Sequence, residues 1–112
     1  MSIEDNNFDL RQLEAMRLQL TQFETRTITL SHLIAGLKAL LASMRTFGKD
    51  WKETFESEWW TLEQVYAVAL DRKKTELSPE EDALIKEATG KLRTVVSNAL
   101  EQLEHVVAQS QI

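Results

Sequence analysis

Apolar residues recur at spacings of three and four along almost the whole chain, and the rhythm breaks at residues 25–29, 48–50 and 71–78. A 3.6-residue period of this kind is the mark of amphipathic helices. The first stripe is Leu10, Leu13, Met16, Leu20 and Phe23. Asp9 stands just before it and is expected to cap the helix, with residues 1–8 as a flexible tail. Thr25, Thr27, Ile28 and Thr29 then weaken the helix, because β-branched side chains lose freedom there and Thr competes for backbone hydrogen bonds. A turn is expected at this point, with Thr29 as the next N-cap. One continuous helix from about residue 9 to 47 is the alternative.

The second stripe is broader: Leu30, Leu33, Ile34, Leu37, Leu40, Leu41, Met44 and Phe47. Its width suits a helix inside a bundle rather than a coiled-coil seam. Gly36, Ala35, Ala39 and Ala42 are expected to admit a close neighbour, and Gly48 to end the helix in a left-handed conformation. Asp50, with Glu53 three residues on, has the spacing of a capping box for a third helix. Trp51, Phe55, Trp59, Leu62, Tyr66 and Ala69 form its core stripe, and it is expected to fade near Asp71–Lys74. Ser78-Pro79-Glu80-Glu81 is the strongest local signal. Ser78 caps, Pro79 occupies the first helical position where its missing N–H is harmless, and Glu81 completes a capping box. A fourth helix to about Val107 carries Leu84, Ile85, Ala88, Leu92, Val95, Ala99, Leu103 and Val106. Within it Gly90 either weakens the helix or lets another approach.

Four helices joined by short connections predict an all-α fold, an antiparallel bundle of about four helices occupying residues 9–112 as one domain. No strand pattern competes. The composition agrees: 112 residues, three Gly, one Pro and 43% hydrophobic residues suit one core with long helices. With no cysteine, there are no disulfides, thiolate metal sites or cysteine nucleophiles. A reducing, cytoplasmic setting is therefore expected. The acidic, polar first residues lack the pattern of a signal peptide, and no run approaches the length of a membrane span.

The charge changes the picture more than its sum of −5 suggests. Residues 1–49 carry six basic and five acidic side chains, residues 50–82 four and ten, and residues 83–112 three of each. The negative field belongs to the middle of the chain. Such a field repels nucleic acid and attracts a basic protein surface, although a charge run of this kind also occurs simply as a solvated face.

Candidate chemistry is thin. His32 and His105, which an up-and-down bundle could bring to one end, lack a third ligand for zinc. Glu101 and His105 are four apart, and no second copy makes the Glu-x-x-His pairs of di-iron bundles. Phosphate loops, nucleophile elbows and zinc-protease motifs are absent from the sequence. Glu53, Glu56 and Glu63 are better read as solvated carboxylates than as an acid/base pair. The Arg72-Lys73-Lys74 cluster has a structural reason at a helix end. No enzyme, cofactor or metal is expected.

What remains is binding. All three tryptophans and the single tyrosine lie between residues 51 and 66. Trp59 belongs to the core stripe, but Trp60 points about 100° away from it. Its same-face neighbours are Glu56, Ser57, Glu63 and Gln64. An aromatic anchor with a polar rim is the anatomy of an interface hot spot; the alternative is a ring packed sideways on the second helix or the tail. The expected contact surface is Glu53, Glu56, Trp60, Glu63 and Gln64. Glu76, Glu80, Glu81 and Asp82 make a second acidic patch at one bundle end. The expected partner is a basic protein, with neither nucleic acid nor membrane involved and a weak homodimer possible.

The pattern Phe23-Glu24, Ile28, Leu33-Ile34 with Leu37, Trp51 to Phe55, Trp59-x-x-Leu62-Glu63, Tyr66-Ala67, Leu77-Ser78 and the helix around Ile85 resembles a known group. It is similar to the helical immunity proteins of bacterial contact-dependent growth inhibition, particularly those paired with EndoU-like ribonuclease toxins. The resemblance spans roughly residues 20 to 100 and rests on fold-forming positions, so it carries no contact residue over. It implies a cytoplasmic inhibitor that binds one toxin and covers its active site. The other reading of the residues is a helical interaction or oligomerising regulatory module with no toxin partner.

Overall fold

A computed structural model describes residues 3–72 and 76–110. It contains four helices and, among the described residues, no strand: α1 (Ile3–Glu24), α2 (Leu30–Ser43), α3 (Lys49–Asp71) and α4 (Pro79–Ser110). Each packs on its neighbours in sequence and α4 returns to close the ring on α1. The diagonal pairs stay apart across the core. The result is an antiparallel four-helix bundle, elongated at 55 × 26 × 18 Å.

The two strongest local signals act as expected. Thr29 caps α2 by accepting the His32 amide at 3.2 Å. In the Ser78 box, the Glu81 amide donates to Ser78 Oγ at 3.2 Å and the Ser78 amide donates back to Glu81 Oε1 at 2.8 Å. The break at residues 25–29 is a turn, not a continuous helix. Arg26 N–H donates to Phe23 O and Thr27 N–H to Gln22 O, and Arg26 takes a φ of 62° in the left-handed region.

Other expectations are corrected. Residues 3–8 are helical, not a tail, and Asp9 lies inside α1 with none of its surface exposed. Its carboxylate accepts the Arg45 and Thr46 amides (2.9 and 2.7 Å) and the Thr46 hydroxyl at 2.6 Å. Arg45 also pairs with Asp5 at 3.3 Å and stacks over Phe8 at 3.8 Å. These contacts from the α2–α3 connection support the extra turns of α1. Met1 and Ser2 of the expected tail lie outside the described residues.

The same clamp ends α2 at Ser43, so residues 44–48 form a connection. Gly48 has an ordinary φ of −82° and serves as the N-cap of α3, without any side-chain bond. Asp50 therefore sits in the first turn of α3, two positions past the residue that caps it. Ala35, Ala39 and Ala42 face outward, while Gly36 alone admits a neighbour, the side chain of Gln19.

The core runs through Leu13, Met16 and Leu20 of α1, Leu33, Leu37 and Leu41 of α2, Phe55, Trp59 and Leu62 of α3, and Ile85, Leu92 and Leu103 of α4. On α4 the buried face is rotated from the expected one. Val96, Leu100 and Val107 are buried, Val95 is half-buried, and Leu84 and Val106 are largely exposed. The helix lies between α1 and α3 at once, so it needs a second buried row on its α1 side.

Candidate functional site

The α3 helix is anchored on one side and bare on the other. Trp59 is 9% exposed and its indole N–H donates to Ile34 O at 2.9 Å, tying α3 to α2. Phe47, Trp51 and Phe55 extend the anchor as a tilted aromatic row, with centroids 4.6 and 5.6 Å apart. One residue beyond Trp59 the helix has turned away from the core. Trp60 is 53% exposed, so sideways burial on α2 or on the N-terminal residues does not occur. Its ring rests edge-on against Trp59, at 5.6 Å between centroids. Lys38 of α2 lies 5.5 Å from the Trp59 ring on its way to solvent.

Around Trp60 the expected rim is largely present. Glu53, Glu56 and Gln64 are exposed and Glu63 is half-buried on the same side of α3. Glu53 makes only a long pair with Lys49, at 3.7 Å between exposed groups. Such a pair contributes little and leaves the carboxylate available. Sequence reasoning missed one member of this face. Val68, two turns beyond Trp60, is 52% exposed. The 60, 64, 68 spacing is the available signal, masked because Val normally reads as core.

The second acidic patch is divided by the structure. Glu76 and Glu80 are exposed. Asp82 is exposed too but paired with Lys86 at 3.0 Å. Glu81 is only 9% exposed, and its carboxylate is taken by the Ser78 amide and the Arg72 guanidinium. The Ser78 amide above all, then Arg72, hold its carboxyl below the usual range, against the opposing effect of burial. Glu81 is thus a helix-capping residue with no free carboxylate for a partner. The glutamate three residues after a capping serine is the signal that should have withdrawn it. Lys73 and Lys74 of the basic cluster lie outside the described residues.

The histidines separate. His32 begins α2 and His105 ends α4, which are opposite ends of an up-and-down bundle. Both are exposed, with His105 Nε2 3.0 Å from Gln109 Nε2. Among the described residues, no three His, Cys, Asp or Glu side chains are placed to hold a metal ion. No helix among them is long and apolar enough to cross a membrane.

A cleft of about 900 Å³ lies elsewhere, between the α1–α2 turn and the start of α4. Phe23, Ile28, Leu77 and Ile85 line it together with charged groups of both signs, including Arg26 and Glu76. No family model, curated protein or solved structure matches this chain.

Proposed function

We propose that the protein is an inhibitor that binds a basic protein through the outward face of α3. In its most specific form it is an immunity protein that neutralises a basic ribonuclease toxin by covering the toxin's active site. The observation that carries the reading is Trp60: a large aromatic, 53% exposed, among carboxylates on a helix whose other side is locked into the core. Its ring already rests on Trp59, so little side-chain freedom is lost when a partner closes over it. Glu53, Glu56, Glu63 and Gln64 supply the polar rim.

A ribonuclease must present positive charge where it holds phosphates, and a row of carboxylates can occupy that groove in their place. Opposed fields would also speed the encounter. The sequence resemblance to helical immunity proteins adds the toxin and a cytoplasmic place of action to this physical reading.

Immunity genes of that kind lie directly downstream of their toxin genes, and this sets the test. The tagged protein is co-expressed with the product of the gene directly upstream, and the pair is purified by size exclusion. A one-to-one complex, with the upstream product toxic when expressed alone, is the expected result. No complex, together with a stable dimer of this chain by itself, would replace the proposal with a self-associating module.

A further inference from the structure

The surface around Trp60 continues onto the next helix. A shallow depression of about 460 Å³ on α3 is lined by Asp50, Glu53, Thr54, Ser57 and Glu58. A second, of about 490 Å³, crosses the α3–α4 seam and includes Glu87, Gly90, Lys91 and Thr94 of α4. The two share Thr54 and Glu58. They form one trough running from the outward face of α3 onto α4.

Gly90 lies in that trough, inside a 32-residue helix. A Cβ placed on it would meet nothing within 4 Å. Its φ is not positive, so the backbone does not demand glycine either. Gly36 differs, because there Gln19 fills the space a side chain would take. Glycine lowers the stability of a helix interior relative to alanine, and nothing inside the bundle uses the gap at residue 90. An outside group brought close to the α4 backbone would.

The charges around the trough select that group. Asp50, Glu53 and Glu58 line the α3 end, with Lys49 in a long exposed pair to Glu53 at 3.7 Å. At the α4 end, Lys91 is engaged by Glu87 at 3.1 Å and Glu58 at 4.0 Å, and Lys86 by Asp82 at 3.0 Å. The lining holds four carboxylates, Asp50, Glu53, Glu58 and Glu87, against two lysines, Lys86 and Lys91, so the trough presents a net negative face. A second copy of this chain would bring like charges together, so the occupant is a different, basic molecule.

We infer that the partner reaches past Trp60 and lays a basic segment in this trough, with its closest approach over Gly90. The inference rests on the proposed inhibitor reading and makes α4 a second contact element. The test titrates the upstream gene product onto the natural protein and onto Trp60→Ala, Gly90→Gln and Thr94→Arg, with a thermal melt of each. Gly90→Gln should melt no lower than the natural protein and bind about tenfold more weakly or worse. Thr94→Arg, which leaves Gly90 intact but sets a cation in the trough, should weaken binding in the same way. Natural affinity in both trough variants, with loss in Trp60→Ala, overturns the inference and leaves the inhibitor reading standing. No binding by the natural protein overturns both.

Discussion

Adjacent tryptophans do opposite things in this protein because an α-helix turns about 100° per residue. Trp59 fills the α2–α3 interface and spends its N–H on Ile34 O. Trp59→Ala should cost about 3–5 kcal/mol in urea denaturation, the range for a large buried aromatic. Trp60→Ala should change stability by less than about 1 kcal/mol and weaken partner binding by about 2 kcal/mol or more. A large stability loss with unchanged binding would remove Trp60 from the interface. Asp9 is the third decisive residue. Its carboxylate satisfies two amides and a hydroxyl of the α2–α3 connection. Asp9→Ala strands those donors and should cost on the order of 3 kcal/mol. Asp9→Asn keeps one acceptor oxygen and should lose less.

At the level of whole helices, the ends decide more than the middles. The end of α1 closes with the hydrogen bonds that usually accompany a glycine, yet Arg26 occupies the left-handed position. Arg26→Gly should stabilise the fold by roughly 0.5–1 kcal/mol, the relief of the left-handed penalty less the added freedom of the unfolded chain. The start of α4 carries a pH dependence. Glu81 has its pKa lowered from 4.5 in the folded state, chiefly by the Ser78 amide and then by Arg72. A depressed carboxyl stabilises the fold above its unfolded pKa, and that contribution is lost as pH falls through the lower folded value. Melting temperature should therefore fall less steeply in Glu81→Gln than in the natural protein between about pH 5 and about pH 3. Parallel curves would remove Glu81 as a source of the acid sensitivity.

For the molecule as a whole, the proposal is electrostatic. The ten acidic residues of the middle segment are not equivalent: Glu81 is committed internally, while Glu53 and Glu56 face solvent beside Trp60. Reversing both exposed charges, as Glu53→Lys with Glu56→Lys, should slow association with the proposed basic partner and flatten its dependence on salt. Stopped-flow rates across a salt series measure both effects. An unchanged rate and slope would place the interface elsewhere on the bundle.

Helix number, the breaks at Thr29 and Ser78-Pro79, and the core role of Trp59 were all legible in the residues. They depend on periodicity and on hydrogen bonds spanning three or four positions, which a linear reading contains. The outward direction of Trp60 was legible for the same reason, but whether its ring lay sideways on α2 stayed open until the packing left it 53% exposed. Asp9 was not, because the amides it serves lie 36 and 37 positions away. That distant contact also extends α1 to Ile3 and cuts α2 short, and it moves Gly48 from the end of one helix to the start of the next. The rotation of the buried face of α4 escaped for a related reason: wedged between α1 and α3, the helix buries a row that its own spacing does not single out. Local chemistry set the helices and their polarity. That Glu81 serves the fold was written in its own capping box, whereas the same role for Asp9 was decided only when the helices met.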